Sequence, residues 1–570
     1  MNIEVIKKII SDNVALGDLS FVFPPNTQLG DLALECFQLA QQLKKSPAEV
    51  AVSLAKNFPT DEIIEKATAV GPYVNFQINR QVLFSSVIEE VSPPTPDVGG
   101  LKIMVEYLSP NTNKPLHLGH LRNGALGMAM ANILQATGHE VIKANLVNDR
   151  GAHICKSMLA WQKWANGATP QSTGQKGDYF VGQWYIRYAV EAEKNPDLEQ
   201  KTQVMLQKWE QGDQATLKLW EMMNNWVYEG FEATYARFGL RFDAFFYESQ
   251  TYKLGKDIIQ QGINQGVFQR TDKGAVTIEL PGNKFGLNQD NQVKKITLLR
   301  EDGTSVYMTQ DLGTAVLKFQ DYQLDQSIYV VGSEQNYHFQ VLFWLLEKLG
   351  YAWAKNCCHL SYGMVYLPEG KMKSREGKVV DADDLIAQME KLAQIEIKTR
   401  LKVGPGSDPS QISERALKIA LGAIKFYLLR VGAGQDIHFN PQDSLSFDGF
   451  TGPYCQYAYA RAKSILRSAR AMADKPDYSL LGNESELLLA QKLMAFDQTV
   501  ATASETLNPS KIALYVYDLA KAFNQFYQKH SVLSADNPQL TTARLGLVLA
   551  VAIVLQKSLN LLGIETLEEM

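Results

Sequence analysis

Residues 102–123 read KIMVEYLSPNTNKPLHLGHLRN, an apolar run followed by a polar segment that carries two histidines. The run KIMVEYL is typical of a buried strand, and the residues after Gly119 continue with helical spacing. His117 and His120 are three residues apart, so on the first turn of that helix they point the same way. The stretch therefore predicts a strand, a tight turn and a helix, with both histidines at the turn.

The alternation of strand and helix continues along the chain. The second strand is EVIKANLV (140–147), and after an interruption the pattern resumes with SVYMTQ, helix DLGTAVLKF, strand SIYVVG, helix NYHFQVLFWLLEKLG and strand HLSYGMVYL. Such alternation predicts an α/β fold with a Rossmann-type parallel sheet. Residues 163–250 are polar and helical in pattern, and we interpret them as an insertion.

Two regions flank the predicted parallel-sheet region. The segment SPPTPDVGG (92–100) has the composition of a linker. We therefore expect an N-terminal α/β domain at 1–95, a Rossmann domain at 96–385, and an all-α helical bundle at 386–570, where helical periodicity prevails.

Composition excludes several classes of protein. A net charge of −5 over 570 residues argues against binding nucleic acid through overall charge. The N-terminus lacks the features of a signal peptide and no long uncharged apolar run is present, so we expect a cytoplasmic protein that does not bind membranes. The five cysteines form no CxxC pair, so neither a disulfide framework nor a zinc site is expected.

Three interpretations compete for His117 and His120. A metal site would need further ligands, and no HExxH or Cys/His cluster accompanies the pair. Two structural histidines could simply pack the turn. In a phosphate site, the N–H groups and dipole of the following helix would attract an anion, Gly119 would let a flat base approach, and the histidines would donate to developing charge.

The surroundings favour the phosphate site. The stretch SPNTNKPLHLGHLRN resembles the HIGH signature of class I aminoacyl-tRNA synthetases, in the form typical of the arginyl-tRNA synthetase family. Further stretches are similar to that family's landmarks in the same order: HEVIKANLVNDRG (139–151), KGDYFVGQWY (176–185), YMTQDLG (307–313), VGSEQNYHF (331–339), LSFDGFTGPYCQYAYAR (445–461) and RLGLVLAVAIVLQKSLNLLGI (544–564). LGDLALECFQLA and GPYVNF resemble its additional N-terminal domain, so the resemblance covers essentially the whole chain.

The resemblance implies a reaction in two steps. The carboxylate of L-arginine attacks the α-phosphate of ATP, giving arginyl-adenylate and pyrophosphate, and the arginyl group then passes to the terminal adenosine of tRNA(Arg). Mg²⁺ would be held mainly by phosphate oxygens and water. Carried over by position, the ATP-binding residues are Pro110, His117, Gly119, His120, Met372 and Ser374.

A second class I signature, KMSKS, is only partly present. The stretch EGKMKSREGKVV (369–380) has Lys371 and Met372 in place, but Ser374 stands where the second lysine belongs. In the family, chains that lack this lysine carry another one three residues before the first motif histidine, where this chain has Lys114. The expected catalytic residues are therefore His117, His120, Lys114, Lys371 and Lys373. Arg375 is a rival for the missing charge, and the alternative is that these charges only solvate a loop.

Recognition of arginine calls for a carboxylate, because guanidinium offers a planar fork of donors. By resemblance the pocket residues are Asn111, Glu140, Asn145, Tyr307, Asp311 and Gln335. Asp311 could instead cap the helix DLGTAVLKF, a role that aspartate fills well.

The region around 454–470 combines aromatic and basic residues: Tyr454, Tyr457, Tyr459, Arg461, Lys463, Arg467 and Arg470. Such a surface suits unstacked bases and phosphates. Tyr454, Tyr457 and Arg461 match the family's anticodon-contacting positions, with core packing as the alternative for each tyrosine. The N-terminal domain, where Lys44 and Lys45 form a small basic cluster, would by resemblance approach the tRNA elbow.

The resemblance thus implies that the chain is a member of the arginyl-tRNA synthetase family with arginine–tRNA ligase activity, and we expect it to be a monomer. Other HxGH nucleotidyltransferases are short and have no use for a long helical C-terminal region. A silent paralogue that only binds tRNA is the remaining alternative, and the intact residues Lys114, His117, Gly119, His120 and Asp311 argue against it.

Overall fold

The protein is described by a computed structural model that covers residues 3–14, 19–89, 100–366, 380–401, 408–469, 476–534 and 537–570.

The N-terminal region is a four-stranded antiparallel sheet with helices around it, in the strand order β1-β2-β4-β3. Its elements are α1 Ile3–Val14, β1 Phe21–Val22, β2 Leu32–Glu35, α2 Phe37–Leu43, α3 Pro47–Asn57, β3 Ile64–Val70, β4 Tyr73–Ile78 and α4 Arg80–Ile88. Local sequence sets these boundaries. Helix α3, for example, begins after Ser46, whose hydroxyl accepts from Glu49 N while the Glu49 carboxylate accepts from Ser46 N.

The central region alternates strands and helices and carries two interruptions. Its first half comprises β5 Lys102–Glu106, α5 Leu118–Ala136, β6 Glu140–Val147, α6 Ala152–Trp164, α7 Pro170–Thr173, α8 Gly177–Lys194, α9 Asp197–Glu210, α10 Gln214–Phe238, β7 Ala244–Tyr247, α11 Glu248–Thr251 and α12 Gly255–Asn264. Its second half comprises β8 Gln269–Arg270, β9 Val276–Glu279, α13 Gly282–Phe285, β10 Lys295–Leu299, α14 Tyr307–Tyr322, β11 Gln326–Gly332, α15 Asn336–Lys348, β12 Cys357–Tyr362, β13 Val365–Tyr366 and α16 Ala382–Leu401.

Five of these strands form the parallel sheet, in the order β12-β11-β5-β6-β7. The strand order reverses between β5 and β11, and ligands of open α/β sheets bind at the carboxyl edge beside such a reversal. Helix α5 packs closely on the sheet, because a side-chain carbon on Gly127 would overlap the ring of Tyr107. The predicted Rossmann fold is confirmed, and the residues after β5 lie at the reversal point.

Three details differ from the sequence prediction. The segment SVYMTQ does not form a strand, because α14 begins inside it at Tyr307. The stretch AFFY (244–247), within the predicted insertion, is instead the edge strand β7 of the parallel sheet. The antiparallel sheet β8–β9–β10 was not predicted at all, since its strands are short and interrupted by polar turns.

The C-terminal region is helical, as predicted. Its elements are α17 Pro409–Leu429, β14 Ile437–His438, α18 Pro441–Ser444, α19 Gly452–Ser468, α20 Glu484–Met494, α21 Phe496–Glu505, α22 Ser510–Lys529 and α23 Pro538–Leu561. Helix α23 is long and apolar enough to cross a membrane, but 61% of its most apolar window is buried within the protein. It packs against α19 and α22 in the way of a core helix.

The chain forms two compact units, and neither is continuous in sequence. One unit comprises Met1–Pro96, Glu390–Arg430 and Pro441–Met570, and the other comprises Asp97–Met389 and Val431–Asn440. In the second unit, β13 pairs with β14. The fully buried Arg122 of α5 donates to the carbonyls of Met364, Ala433 and Gln435, at 2.6–3.1 Å. Residues 431–440 therefore complete the unit that holds the parallel sheet.

Candidate active site

The turn after β5 is held in an unfavourable backbone conformation. Leu108 and Ser109 have φ values of 82° and 46°, a region that residues with side chains rarely adopt. The Asn123 side-chain oxygen accepts from Leu108 N at 2.5 Å, and that of Asn145 accepts from Ser109 N at 3.3 Å. Strain of this kind persists where the surroundings enforce it, which is common at functional sites.

His117 and His120 lie together at the end of this turn. His117 is the N-cap of α5, and the two ring centroids are 3.9 Å apart. His117 Nδ1 accepts from Gly119 N at 3.2 Å, and His120 Nδ1 accepts from His117 N at 3.1 Å. Gly119 fits closely here, because an added Cβ would lie 3.0 Å from the His117 ring and would press on it.

The backbone of the first helical turn does not offer the open N–H groups that the sequence analysis expected. Leu118 N donates to Val380 O, Gly119 N to the His117 ring, and His120 N to His117 O. The expectation that an anion is bound by these N–H groups is therefore wrong. The side chains of this turn are the remaining candidates that we consider as donors to an anion.

The two imidazoles are suited to that task. Because both Nδ1 atoms accept hydrogen bonds, both neutral rings carry their proton on Nε2, and no described residue bonds to either Nε2. Burial, helped by the charge of Lys114, lowers the pKa of His117 to about 3. Burial, with the charges of His117 and Lys114, lowers the pKa of His120 well below its usual value. Each ring is thus a neutral donor at physiological pH.

Lys114 supplies a positive charge beside this pair. It is partly buried, and burial lowers the pKa of its ammonium. Among the described residues, none forms a hydrogen bond or ion pair with that ammonium. Lys114 and His117 line a cavity of about 240 Å³, together with Tyr179, Gln183, Asp381 and Asp384. The unpaired ammonium of Lys114 and the ring of His117 therefore line the same cavity.

Four of the predicted arginine-binding residues lie at the carboxyl edge of the sheet. Asn111 follows β5, and Gln335 follows β11 on an exposed turn. Tyr307 and Asp311 lie in the first two turns of α14, and Tyr307 is 71% exposed. Asn145 is also near this edge but fully buried, and its amide donates to the Tyr235 hydroxyl at 3.2 Å while its oxygen holds Ser109.

Asp311 is not a helix cap. The N-cap of α14 is Val306, so Asp311 lies in the second turn. Its Oδ2 accepts from His338 Nε2 at 2.5 Å, which orients the carboxylate between α14 and α15. The capping alternative is therefore wrong, and the second carboxylate oxygen has no partner in the part of the chain that the structure describes.

Glu140 does not join these residues. It is the first residue of β6, at the amino edge of the sheet, with a side chain 65% exposed and paired to Lys102 Nζ at 3.0 Å. It is five positions before Asn145 along the strand, roughly 16 Å at the usual rise per residue. Its predicted place in an arginine pocket is contradicted by this position.

Three carboxylates that the sequence analysis missed lie at the carboxyl edge of the sheet. Glu106 ends β5 and pairs with the buried Lys318, Asp149 follows β6, and Glu248 follows β7. Burial, with the charges of Asp149 and Asp311, raises the pKa of Glu248 to about 7, although Arg150 opposes the shift. The sequence could have indicated these residues, because each acid comes at or just after the end of a predicted or observed parallel strand.

The second signature falls outside the described residues. This applies to Lys371, Met372, Lys373 and Ser374, and to the rival cation Arg375. Their assignment stays a prediction from sequence.

Helix α19 presents the predicted aromatic and basic face. Arg461 lies 4.7 Å from the ring centre of Tyr457 and 5.1 Å from that of Tyr527, and it donates to Asn524 at 2.5 Å. Tyr454 packs against Tyr517 with ring centroids 5.4 Å apart. Tyr454, Tyr457 and Arg461 thus share one face, which α22 extends with the 43%-exposed Tyr527, a residue that the sequence analysis missed.

The remaining members of the cluster face elsewhere. Tyr459 is buried and its hydroxyl donates to Glu568 at 3.2 Å. Lys463 and Arg467 pair with Glu568 at 3.4 and 3.3 Å, so their charges are offset within the protein. Tyr459 therefore packs in the interior, whereas Lys463 and Arg467 are partly exposed but paired with an acidic residue. Arg470 lies outside the described residues.

A five-stranded Rossmann sheet with an HxGH pair at its reversal point, an insertion between β6 and β7, and a helical C-terminal region define a class I aminoacyl-tRNA synthetase. Three family models agree with this class. They are "tRNA synthetases class I (R), catalytic domain" over residues 97–440, "DALR anticodon binding domain" over 455–570, and "Arginyl tRNA synthetase N terminal domain" over 3–78.

Individual proteins match over the full length. The arginine–tRNA ligase of Parabacteroides distasonis is 42% identical over 99% of this chain and 98% of its own, and that of Treponema denticola is 44% identical over 98% and 96%. The solved arginyl-tRNA synthetase of Thermus thermophilus superposes with a TM-score of 0.85 at 27% identity, covering all of both chains. The chain belongs to the arginyl-tRNA synthetase family.

Proposed function

We propose that this chain is an arginine–tRNA ligase, which activates L-arginine with ATP and transfers it to the terminal adenosine of tRNA(Arg). The observation that carries the proposal is the pair of neutral histidines at the reversal point of the sheet, whose Nε2–H donors have no partner among the described residues. In an in-line displacement, such donors stabilise charge that develops on the α-phosphate.

ATP would lie along the turn after β5. His117 and His120 donate to phosphate oxygens, Gly119 keeps the His117 ring in place, and Pro110 forms the wall of the turn. Met372 and Ser374 complete the ATP set by resemblance, with Lys371 and Lys373 beside the leaving pyrophosphate. Mg²⁺ would enter with the triphosphate, bound by phosphate oxygens and water. Among the described residues, no three His, Cys, Asp or Glu side chains form a group that could hold a metal.

Arginine would lie between α14 and the turn after β5. Asp311 accepts the guanidinium, Asn111 and Gln335 provide polar contacts from either side, and Tyr307 covers the pocket. Asn145 supports this pocket indirectly, because its side chain holds Ser109. Glu140 has no part in it.

The tRNA would contact two more regions: the face formed by Tyr454, Tyr457 and Arg461 reads the anticodon, and the N-terminal domain approaches the elbow. Action as a monomer and a cytoplasmic location belong to the same proposal. So do the expected domains at 1–95, 96–385 and 386–570, except that residues 431–440 belong with the unit that holds the parallel sheet.

Charging of unfractionated tRNA with radiolabelled amino acids tests the function. We expect arginine to be attached, and lysine and glutamine, compared at equal concentration, to give only background. A chain that retards tRNA in a gel but attaches no arginine would instead be the silent, tRNA-binding paralogue.

The anticodon face gives a prediction about affinity. Tyr457→Ala and Arg461→Ala each remove a stacking or charged contact, so each should weaken tRNA binding by roughly 1–3 kcal/mol. At saturating tRNA the kcat should recover, because the histidines are untouched. The measurements are tRNA KM, kcat and melting temperature, with Tyr459→Phe on the buried side of the same helix as control. An unchanged tRNA KM in both variants would contradict the assignment.

A further inference from the structure

The stretch KGDY at the start of α8 has no role in the chemistry described so far. Lys176 Nζ donates to Asp178 Oδ2 at 3.0 Å, to Thr234 Oγ1 at 2.5 Å and to Asp383 Oδ2 at 2.6 Å. Three acceptors are the full hydrogen-bonding capacity of an ammonium group. One side chain therefore joins the starts of α8 and α16 to the C-terminal part of α10.

Positive and negative side chains are paired within this network. Burial alone would lower the pKa of Lys176, but Asp178 and Asp383 outweigh it and raise the pKa, so the ammonium stays charged. The Thr234 hydroxyl accepts from Lys176 and donates to Asp383 Oδ2 at 2.8 Å. Arg237 adds a contact to the Asp383 backbone carbonyl at 3.2 Å. Asp383 is thus held by Lys176, Thr234 and Arg237, which all belong to the insertion between β6 and β7.

Asp383 lies next to the backbone that holds His117. Ala382 N donates to Leu116 O at 2.9 Å, and Leu118 N donates to Val380 O at 3.3 Å, so residues 380–382 pair with 116–118 on both sides of the histidine. Asp381 Oδ1 accepts from Asp383 N at 2.8 Å, which connects the paired segment to the Lys176 network. Any shift of Asp383 is carried to His117 through bonded neighbours.

Helix α8, which begins after Lys176, also contacts the other end of the turn. A side-chain carbon added to Gly182 of α8 would lie 2.7 Å from Pro115 and 3.4 Å from Lys114 Cα. Helix α8 therefore supports the segment from Lys114 to Leu118 at one end directly, and at the other end through Lys176 and Asp383.

We propose that Lys176 is a positioning residue for the activation step. Through its contacts it fixes the position of the strand-to-helix turn that carries Lys114 and His117. The inference rests on the proposed function and deepens it, because it assigns the insertion a part in the chemistry in addition to any contact with tRNA. Lys176 itself touches no reactant.

The test is the rate of arginine-dependent pyrophosphate exchange in Lys176→Met at saturating arginine, ATP and unfractionated tRNA. Because a displacement of about 1 Å in a reacting group can cost about 10²-fold in rate, we expect kcat to fall by that order. The KM for arginine should stay close to that of the unchanged chain, since Asp311 lies outside this network. Lys176→Arg, which keeps the charge and the donors, should recover most of the rate.

Two further variants separate positioning from a loss of stability. Lys194→Met, at the exposed end of the same helix, is the matched control and should behave like the unchanged chain. Asp383→Asn should lower kcat as Lys176→Met does, and the double variant should be no slower than the slower single one, because the two residues act through one contact. If Lys176→Met is insoluble, Thr234→Val, which removes only the bridging hydroxyl, takes its place.

The outcomes distinguish a failure of the proposed function from a failure of the inference about Lys176. A chain that charges no arginine contradicts the proposed function. If the unchanged chain is active and Lys176→Met matches Lys194→Met in kcat, the inference about Lys176 alone is overturned. A fall in kcat with an equal rise in arginine KM and a lower melting temperature, not rescued by Lys176→Arg, would also overturn it, since that pattern describes general loosening.

Discussion

Arginine use should fall by about two orders of magnitude or more when Asp311 is replaced by asparagine. Removing one partner of a buried charge pair costs about 3–5 kcal/mol, and we expect the lower end because the Asp311 side chain is 33% exposed. Each 1.4 kcal/mol is about a tenfold change, so about 3 kcal/mol corresponds to about 10² in kcat/KM for arginine. The measurement is aminoacylation over a range of arginine concentrations.

A matched control lies on the same helix. Asp321 is exposed near the end of α14, so Asp321→Asn should leave kcat/KM for arginine unchanged. Capping cannot explain a loss in Asp311→Asn, since the helix begins four residues earlier. A near-normal arginine KM in Asp311→Asn would show that the guanidinium binds elsewhere.

The second large effect is expected for Lys114→Ala. Lys114 and His117 line the same cavity, and the Lys114 ammonium has no partner among the described residues. We propose that this ammonium meets charge on the triphosphate. Losing one preorganised donor to a transition state costs about 10²–10³ in kcat. We expect a loss of that size in pyrophosphate exchange, while the arginine KM changes little because Lys114 is not part of the arginine pocket.

The pH dependence of activation gives an independent check on Lys114. Burial lowers the pKa of this lysine, and the protonated form is the one that offsets phosphate charge. The rate should therefore be full below that pKa and fall as pH rises through it, earlier than for an ordinary lysine. Lys114→Arg should move this fall to higher pH. If Lys373→Ala is severe and Lys114→Ala mild, Lys373 holds the role instead.

The sequence predicted most reliably what is encoded locally. The histidine pair, its helix and the strand before it follow from adjacent residues, and the structure confirms their placement on the sheet. The position of Asp311 was harder to predict, because aspartate is a good cap and nothing nearby marks Tyr307 as the helix start. The error for Glu140 came from ignoring strand polarity, which places the first residue of a parallel strand at the edge opposite the site.

Contacts between distant parts of the chain could not be predicted. Tyr459 and Arg467 resemble surface residues by composition, yet both contact Glu568, about a hundred residues away. Lys176 and Asp383 are 207 residues apart, and their contact becomes evident only when the insertion folds back on the sheet. Side-chain patterns report on neighbours within an element, whereas these contacts depend on the three-dimensional arrangement of several elements.

The discontinuous unit that contains the parallel sheet has a consequence for biosynthesis. Arg122 is made early, but two of its carbonyl partners, those of Ala433 and Gln435, come more than three hundred residues later. Until they emerge from the ribosome, a guanidinium destined for full burial lacks these acceptors. A nascent chain that stops before residue 440 therefore cannot complete this unit, and a gene fragment meant to encode it alone must also include the codons for 431–440.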